Sequence, residues 1–392
     1  MRFAQRAQSL DNSFIGEILK AAANPDLISF AGGLPNPGLF PVAEIQAATD
    51  KVLSSDGQTV LQYNTSEGYA PLREFIAERY YGGARNNIGA DNILITSGSQ
   101  QALDIIPRLY INPGDGIIFE RPGYLGALQA FDLSEPQYLE APVTEQGVDV
   151  EVYAATLQTN PNIPLAYCNP NFQNPTGASY TLETREALAR VLSNYDTLLI
   201  EDNPYVELRF SGTQPPSMKD FLGDQVIALG SFSKIFSPAM RMGWICASPD
   251  IIKALTAIKS ACDMHTNYFT QRILFQYLQD NDFDAHLQAT IDIYRSKCAL
   301  MLNALAEELP SDVSFVRPEG GMFTWLTLPE DIKAMDLLSV CKERGVYYIP
   351  GIPFYASTPN EHTLRLNFSN SSDENIAKGV KILGQAIEEF RS

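Results

Sequence analysis

VIALGSFSKIFSPAMRMGWICA, residues 226–247, opens with an apolar run, Val226 to Leu229, passes through the polar turn Ser231-Phe232-Ser233-Lys234, and closes with a second apolar run, Trp244 to Ala247. Short apolar runs bounded by turn residues read as buried strands. A lysine at the exit of such a strand, flanked by two small hydroxyls, is poorly explained as a solvated charge. A lysine that forms an imine needs partial burial, because only the uncharged amine is nucleophilic. Ser231, Ser233 and Arg241 offer hydroxyl and guanidinium donors suited to a phosphate beside it. Taken alone, S-x-S-K is equally an exposed turn lysine, so the neighbouring stretches decide.

Working outward, four further apolar runs read as buried strands: Ile93 to Thr96, Ile117 to Phe119, Leu165 to Cys168 and Thr197 to Ile200. Helix-period segments alternate with them, the punctuation of an α/β protein. Polar turns follow: SGSQQ at 97–101, NPNFQNPTG at 169–177 and EDNPY at 201–205. Open α/β sheets bind ligands at such strand ends, so these turns and GSFSK can converge on one site. Asp202 can project a carboxylate into the crevice and pair with a protonated pyridine nitrogen. Before Asn-Pro it is also an ordinary turn former. The amide of Asn174 and the hydroxyl of Tyr205 can donate to a phenolate oxygen. Ser99 and Gln100 sit where the free N–H groups of a helix start hold a phosphate, although a Gly-Ser turn is also a plain cap. Tyr124, in RPGY, can lie over an aromatic ring or be a simple turn tyrosine.

Past Asp284 the pattern changes to a long amphipathic helix, Ala285 to Glu308, and then to short alternating stretches, Thr324 to Leu328 and Thr363 to Phe368. This predicts a large ligand-binding domain over 36–284. A smaller α+β domain is predicted from 285–392 together with the N-terminal segment 1–35, which carries a helix-like stretch, Ser13 to Ala22.

The 392 residues are 45% hydrophobic and 19% charged, enough for a large core and a second domain. Acidic residues outnumber basic ones 46 to 28, for a net charge of −18, and no basic cluster offsets this, which argues against nucleic acid or an anionic membrane as partner. The five cysteines are spread singly without C-x-x-C spacing, which fits a reducing cytosol better than a disulfide framework. Three scattered histidines give a metal site little to build on. With no run of about 18 apolar residues and no apolar leader segment, a cytoplasmic protein is expected.

Taken together, FAGGLPNP, LQYNTSEGYAPLRE, SGSQQALD, PNFQNPTG, EDNPY, SFSKIFSPAMRMGW, GGMF and LRLNFS resemble, in order and spacing, the fold type I pyridoxal-phosphate aminotransferases. The branch is the one containing 2-aminoadipate and kynurenine aminotransferases, and the resemblance covers almost the whole chain. It implies pyridoxal 5'-phosphate as cofactor and a large domain with a mainly parallel sheet between helices plus a smaller α+β domain. It also implies a homodimer with shared active sites. Lys234 would join the cofactor as an imine and move the substrate proton, Asp202 would bind the pyridine nitrogen, and Asn174 and Tyr205 would hold the phenolate oxygen beneath a stacked Tyr124. Ser99, Gln100, Ser231, Ser233 and Arg241 would bind the phosphate, with Tyr63 reaching it from the neighbouring subunit. Arg365 would clamp the substrate α-carboxylate, helped by Asn174 and the backbone at Gly33.

Two positions depart from the family pattern. Ala239 replaces the usual glycine before the phosphate-binding arginine, adding a methyl at a tight turn. Gly16 stands where 2-aminoadipate enzymes present an arginine three residues after a serine, here Ser13, both facing the substrate side chain. Without that cation an uncharged aliphatic or aromatic donor is expected to be favoured over 2-aminoadipate or glutamate, with 2-oxoglutarate or pyruvate as the keto acid acceptor. Rival readings are a β-lyase or decarboxylase on the same fold, and a ligand-sensing protein like the winged-helix regulators that carry an aminotransferase-like domain. The family motifs begin near Phe30, too early for an ordinary DNA-binding domain ahead of them.

Overall fold

The computed structural model describes Arg6, Gly16, Asn24 and residues 26–391. Ser13 and, apart from Gly16, the expected helix around it lie outside the described residues.

A two-residue strand, β1 (Ile28–Ser29), precedes the main sheet. That sheet comprises β2 (Ile93–Ser97), β3 (Gly116–Arg121), β4 (Gln137–Thr144), β5 (Gly147–Val148), β6 (Leu165–Cys168), β7 (Leu198–Asp202), β8 (Val226–Ser231) and β9 (Met242–Cys246), in the order β2-β9-β8-β7-β6-β3-β4-β5. Pairing is parallel from β8 through β7, β6 and β3 to β4, while β9 runs antiparallel to both its neighbours. All residues of β6, β8 and β9 are buried, as unbroken apolar runs between two helical layers require. Successive side chains feed opposite cores: Ile93 and Ile95 join one, Leu94 the other.

The six sequence-predicted strands are all present, within about two residues at their ends. β4 was not foreseen. Its sequence, QYLEAPVT, is polar at several positions and contains Pro142, and much of the strand is only half-buried. Proline is tolerated near a sheet edge, where its missing N–H costs little.

After the long helix Phe283–Glu308 come β10 (Ser314–Phe315), β11 (Phe323–Thr327), β12 (Val346–Tyr347), β13 (Ile349–Pro350) and β14 (Thr363–Asn367). Four of them form an antiparallel sheet in the order β10-β11-β14-β13. The long helix packs against the last one, Asp373–Phe390. β1 pairs in parallel with β12, Ile28 opposite Val346, so the N-terminal stretch is tied to the C-terminal part of the chain. Among the described residues no helix is long and apolar enough to cross a membrane.

Candidate active site

The turns at the carboxyl ends of β2, β3, β6, β7 and β8 close around a cavity of about 470 Å³, roofed by residues 32–34 and by β14. This is where an open, mainly parallel sheet leaves a crevice.

At one end of the cavity the helix Ser99–Tyr110 begins. Gly98 is its N-cap, at φ 76°, and no side chain caps its first N–H groups. A side chain on Gly98 would meet Arg241, since a Cβ there would lie 2.4 Å from its Nη2, so this glycine lets the guanidinium lie against the turn. Arg241 donates to Ser97 O at 3.1 Å, and among the described residues no carboxylate pairs with it. Ser231 and Ser233 line the same end. Free helix N–H groups, two hydroxyls and an uncompensated guanidinium make an anion site with the donors a phosphate needs. Gln100 lines it too, but its side-chain amide donates to Gly126 O at 2.7 Å. The methyl of Ala239 causes no strain: Ala239 lies in a short 3₁₀ turn, Pro238–Met240, and the left-handed residue is Arg241 itself, at φ 52°.

Lys234 lies on the cavity wall, its Nζ donating to Gly33 O at 2.7 Å. Burial, aided by the charges of Arg365 and Arg241, holds its amine down to about 8, which leaves free base available near neutral pH. Asp202, at the end of β7, is 1% exposed. Its Oδ2 accepts from Tyr167 Oη at 3.0 Å, while its buried Oδ1 has no partner. Burial pushes this carboxyl up to about 7, with Glu120 acting in the same direction and the Tyr167 hydrogen bond opposing. An unmatched buried carboxylate oxygen calls for a donor, preferably a charged one.

Arg365 projects from β14 and is 4% exposed. It donates to Asn174 Oδ1 at 2.6 Å and Ala31 O at 2.5 Å, and packs over the Phe323 ring at 4.2 Å. Its buried Nε has no partner, and burial holds its pKa down to about 10. A guanidinium this buried without a counter-charge is set up for an incoming carboxylate. The Asn174 amide also donates to Tyr205 Oη at 3.3 Å. Tyr124 borders the cavity, and burial pushes its phenol up to about 12. Gly126 makes room for that ring, since a Cβ there would lie 2.5 Å from it.

Tyr63 is outside this cavity and 73% exposed, packing edge-on to His265. Sequence reasoning missed Tyr167, which grips Asp202, and Asn169, whose amide donates to Asp202 O at 2.5 Å. Tyr167 sits inside the apolar run LAYC, where it reads only as core.

Residues 27–383 match the family described as aminotransferase class I and II. The chain belongs to this family. The aminotransferase is 41% identical to aromatic-amino-acid aminotransferase 1 of Thermococcus litoralis, with 99% of this chain and 94% of the relative covered. Two solved structures are similar throughout. A kynurenine aminotransferase of Pyrococcus horikoshii, in complex with PMP, superposes with a TM-score of 0.93 at 38% identity, covering 99% of this chain and 97% of that one. An alpha-aminoadipate aminotransferase of Thermus thermophilus, complexed with N-(5'-phosphopyridoxyl)-L-leucine, superposes with a TM-score of 0.92 at 37% identity, covering 99% and 98%.

The aminotransferase takes pyridoxal phosphate, and the cavity fits it. The donor cluster at Ser99 suits the phosphate, the orphan Oδ1 of Asp202 suits the pyridine N–H, and the amine of Lys234 suits covalent attachment.

Proposed function

We propose that the enzyme transfers the amino group of an uncharged aliphatic or aromatic L-amino acid to a 2-keto acid such as 2-oxoglutarate or pyruvate. The observation that carries this reading is the cation count of the cavity. Among its described lining residues only Lys234, Arg241 and Arg365 are cationic, and the attachment, phosphate and α-carboxylate roles take all three. Nothing described there offers a fourth charge for a distal carboxylate, and the position of Gly16 supplies none. The Thermococcus litoralis relative is named for aromatic amino acids, in keeping with a neutral donor, while the Thermus thermophilus protein, named for alpha-aminoadipate, holds a leucine conjugate in its structure. Bound pyridoxal phosphate supplies an electron sink conjugated with the substrate α-carbon. Asp202 would hold its ring nitrogen, Asn174 and Tyr205 would donate to its ring oxygen, and Tyr124 would cover its face. The Lys234 amine moves the proton at the α-carbon, and Arg365 orients the substrate carboxylate.

We read residues 36–284 as the cofactor-binding domain and 1–35 with 285–392 as the smaller one. The working form is read as a cytoplasmic homodimer in which Tyr63, left exposed in the single chain, reaches the partner's phosphate site.

Competitive assays of leucine, phenylalanine, 2-aminoadipate and glutamate test the donor class: both neutral donors should show the higher kcat/KM, and a higher value for either acidic donor than for both neutral ones overturns the reading. Omitting the keto acid tests the reaction class. Keto acid product should then stop after one equivalent per site, whereas a β-lyase would go on releasing keto acid with ammonia and a decarboxylase would release CO2 and an amine instead. Arg365→Ala should weaken amino-acid binding by about 2–4 kcal/mol, the value of a desolvated charged pair, and should appear mainly in KM. An unchanged donor KM would place the carboxylate clamp elsewhere.

A further inference from the structure

Asn174 has two tasks in this site, facing Arg365 and Tyr205 at once, and it sits on an irregular loop, 169–177, rather than on a strand or helix. What holds that loop is a buried carboxylate outside the cavity. Glu120, on β3, is 1% exposed. Its Oε1 accepts from the backbone N–H of Asn169 at 2.9 Å and from Tyr180 Oη at 2.6 Å, and its Oε2 accepts from Gln173 Nε2 at 2.9 Å. The two loop residues it grips, Asn169 and Gln173, both precede Asn174 in the chain, Gln173 immediately. Asn169 passes the constraint on directly, since its Oδ1 accepts the Asn174 N–H at 2.8 Å. Gln173 passes it across the turn, since its Oε1 accepts from Thr176 N at 3.0 Å and Thr176 Oγ1 at 2.6 Å.

We infer that Glu120 is a positioning residue for this site, holding loop 169–177 so that Asn174 meets both Arg365 and Tyr205. The inference rests on the roles proposed above for Asn174 and Arg365. Packing alone does not account for a carboxylate here. None of its hydrogen-bond partners is a cation, and burial pushes it up to about 7, so a carboxyl here carries a desolvation cost that an apolar residue of similar size would not. The chemistry of the partners demands an acceptor on both oxygens. The Asn169 backbone N–H can only donate, and the Gln173 amide cannot turn over, because Thr176 already occupies its oxygen. Glu120→Gln is therefore nearly isosteric yet sets a donor against a donor on one side or the other.

The test compares wild type, Glu120→Gln and Gln173→Leu as holoenzymes. The readouts are the donor KM, kcat, the pH midpoint of the bound cofactor's visible absorbance change, and thermal unfolding. Losing one well-placed hydrogen bond should raise KM about tenfold with a smaller change in kcat, since the carboxylate site binds ground and transition states alike. The absorbance midpoint should rise by about one pH unit, because a donor displaced from the ring oxygen leaves the cofactor–lysine link more basic. Wild-type KM and wild-type midpoint in the folded variants, with only thermal stability lowered, overturn the inference. If Glu120→Gln does not fold, Gln173→Leu decides on the same readouts. Failure of the cofactor assignment looks different: then wild type itself shows no titrating visible band.

Discussion

Lys234→Ala should lower transamination by several orders of magnitude. The substitution removes both the amine that attaches to the cofactor and the base that moves the substrate proton, and proton transfer by a positioned group alone is worth about 10²–10⁴-fold. No neighbouring group can take over. The other cations of the cavity, Arg241 and Arg365, are guanidiniums that do not give up a proton near neutral pH. The loss should appear in kcat and kcat/KM together, with the fold intact, because Lys234 makes one hydrogen bond, to Gly33 O, that the protein can spare. Near-normal turnover in the variant would remove Lys234 from the mechanism.

Asp202→Asn should lower kcat by about 10²–10³-fold, the usual cost of losing one preorganised electrostatic partner of the reacting system. Asparagine preserves shape and can still accept from Tyr167, so stability should change little. What it loses is the negative charge opposite the ring nitrogen, and with it the electron sink for α-proton removal. The step affected should be the proton transfer itself, so the deuterium isotope effect at the α-carbon should grow while donor KM changes little. Unchanged kcat would show that the unmatched Oδ1 of Asp202 serves some other partner.

The parallel strands were legible because each is an unbroken apolar run, and the turns after them because Gly, Pro, Asn and Ser cluster there. β4 was not, since a strand next to the sheet edge and half in water carries no such run. In the candidate site the residues at strand ends, Asp202, Lys234 and Ser231 among them, could be placed because topology sends all strand ends to one rim. Arg365 could not be reached that way. It comes from the other sheet, and only the resemblance of LRLNFS pointed to it. Tyr167 and Glu120 were hidden for opposite reasons. Tyr167 looks like core in a core strand, and Glu120 looks like a surface charge at the end of one, whereas the structure buries it beneath three donors. Which partner a buried polar group meets depends on residues far away in sequence, and a single sequence does not show them.

The central claim is that this cavity holds pyridoxal phosphate on Lys234. Borohydride reduction of the purified yellow enzyme, followed by mass spectrometry of its peptides, tests it most directly. One phosphopyridoxyl adduct per chain, on the peptide carrying Ser233-Lys234, is the expected result. An adduct on any other lysine, or an active enzyme that takes up no label, would contradict the account.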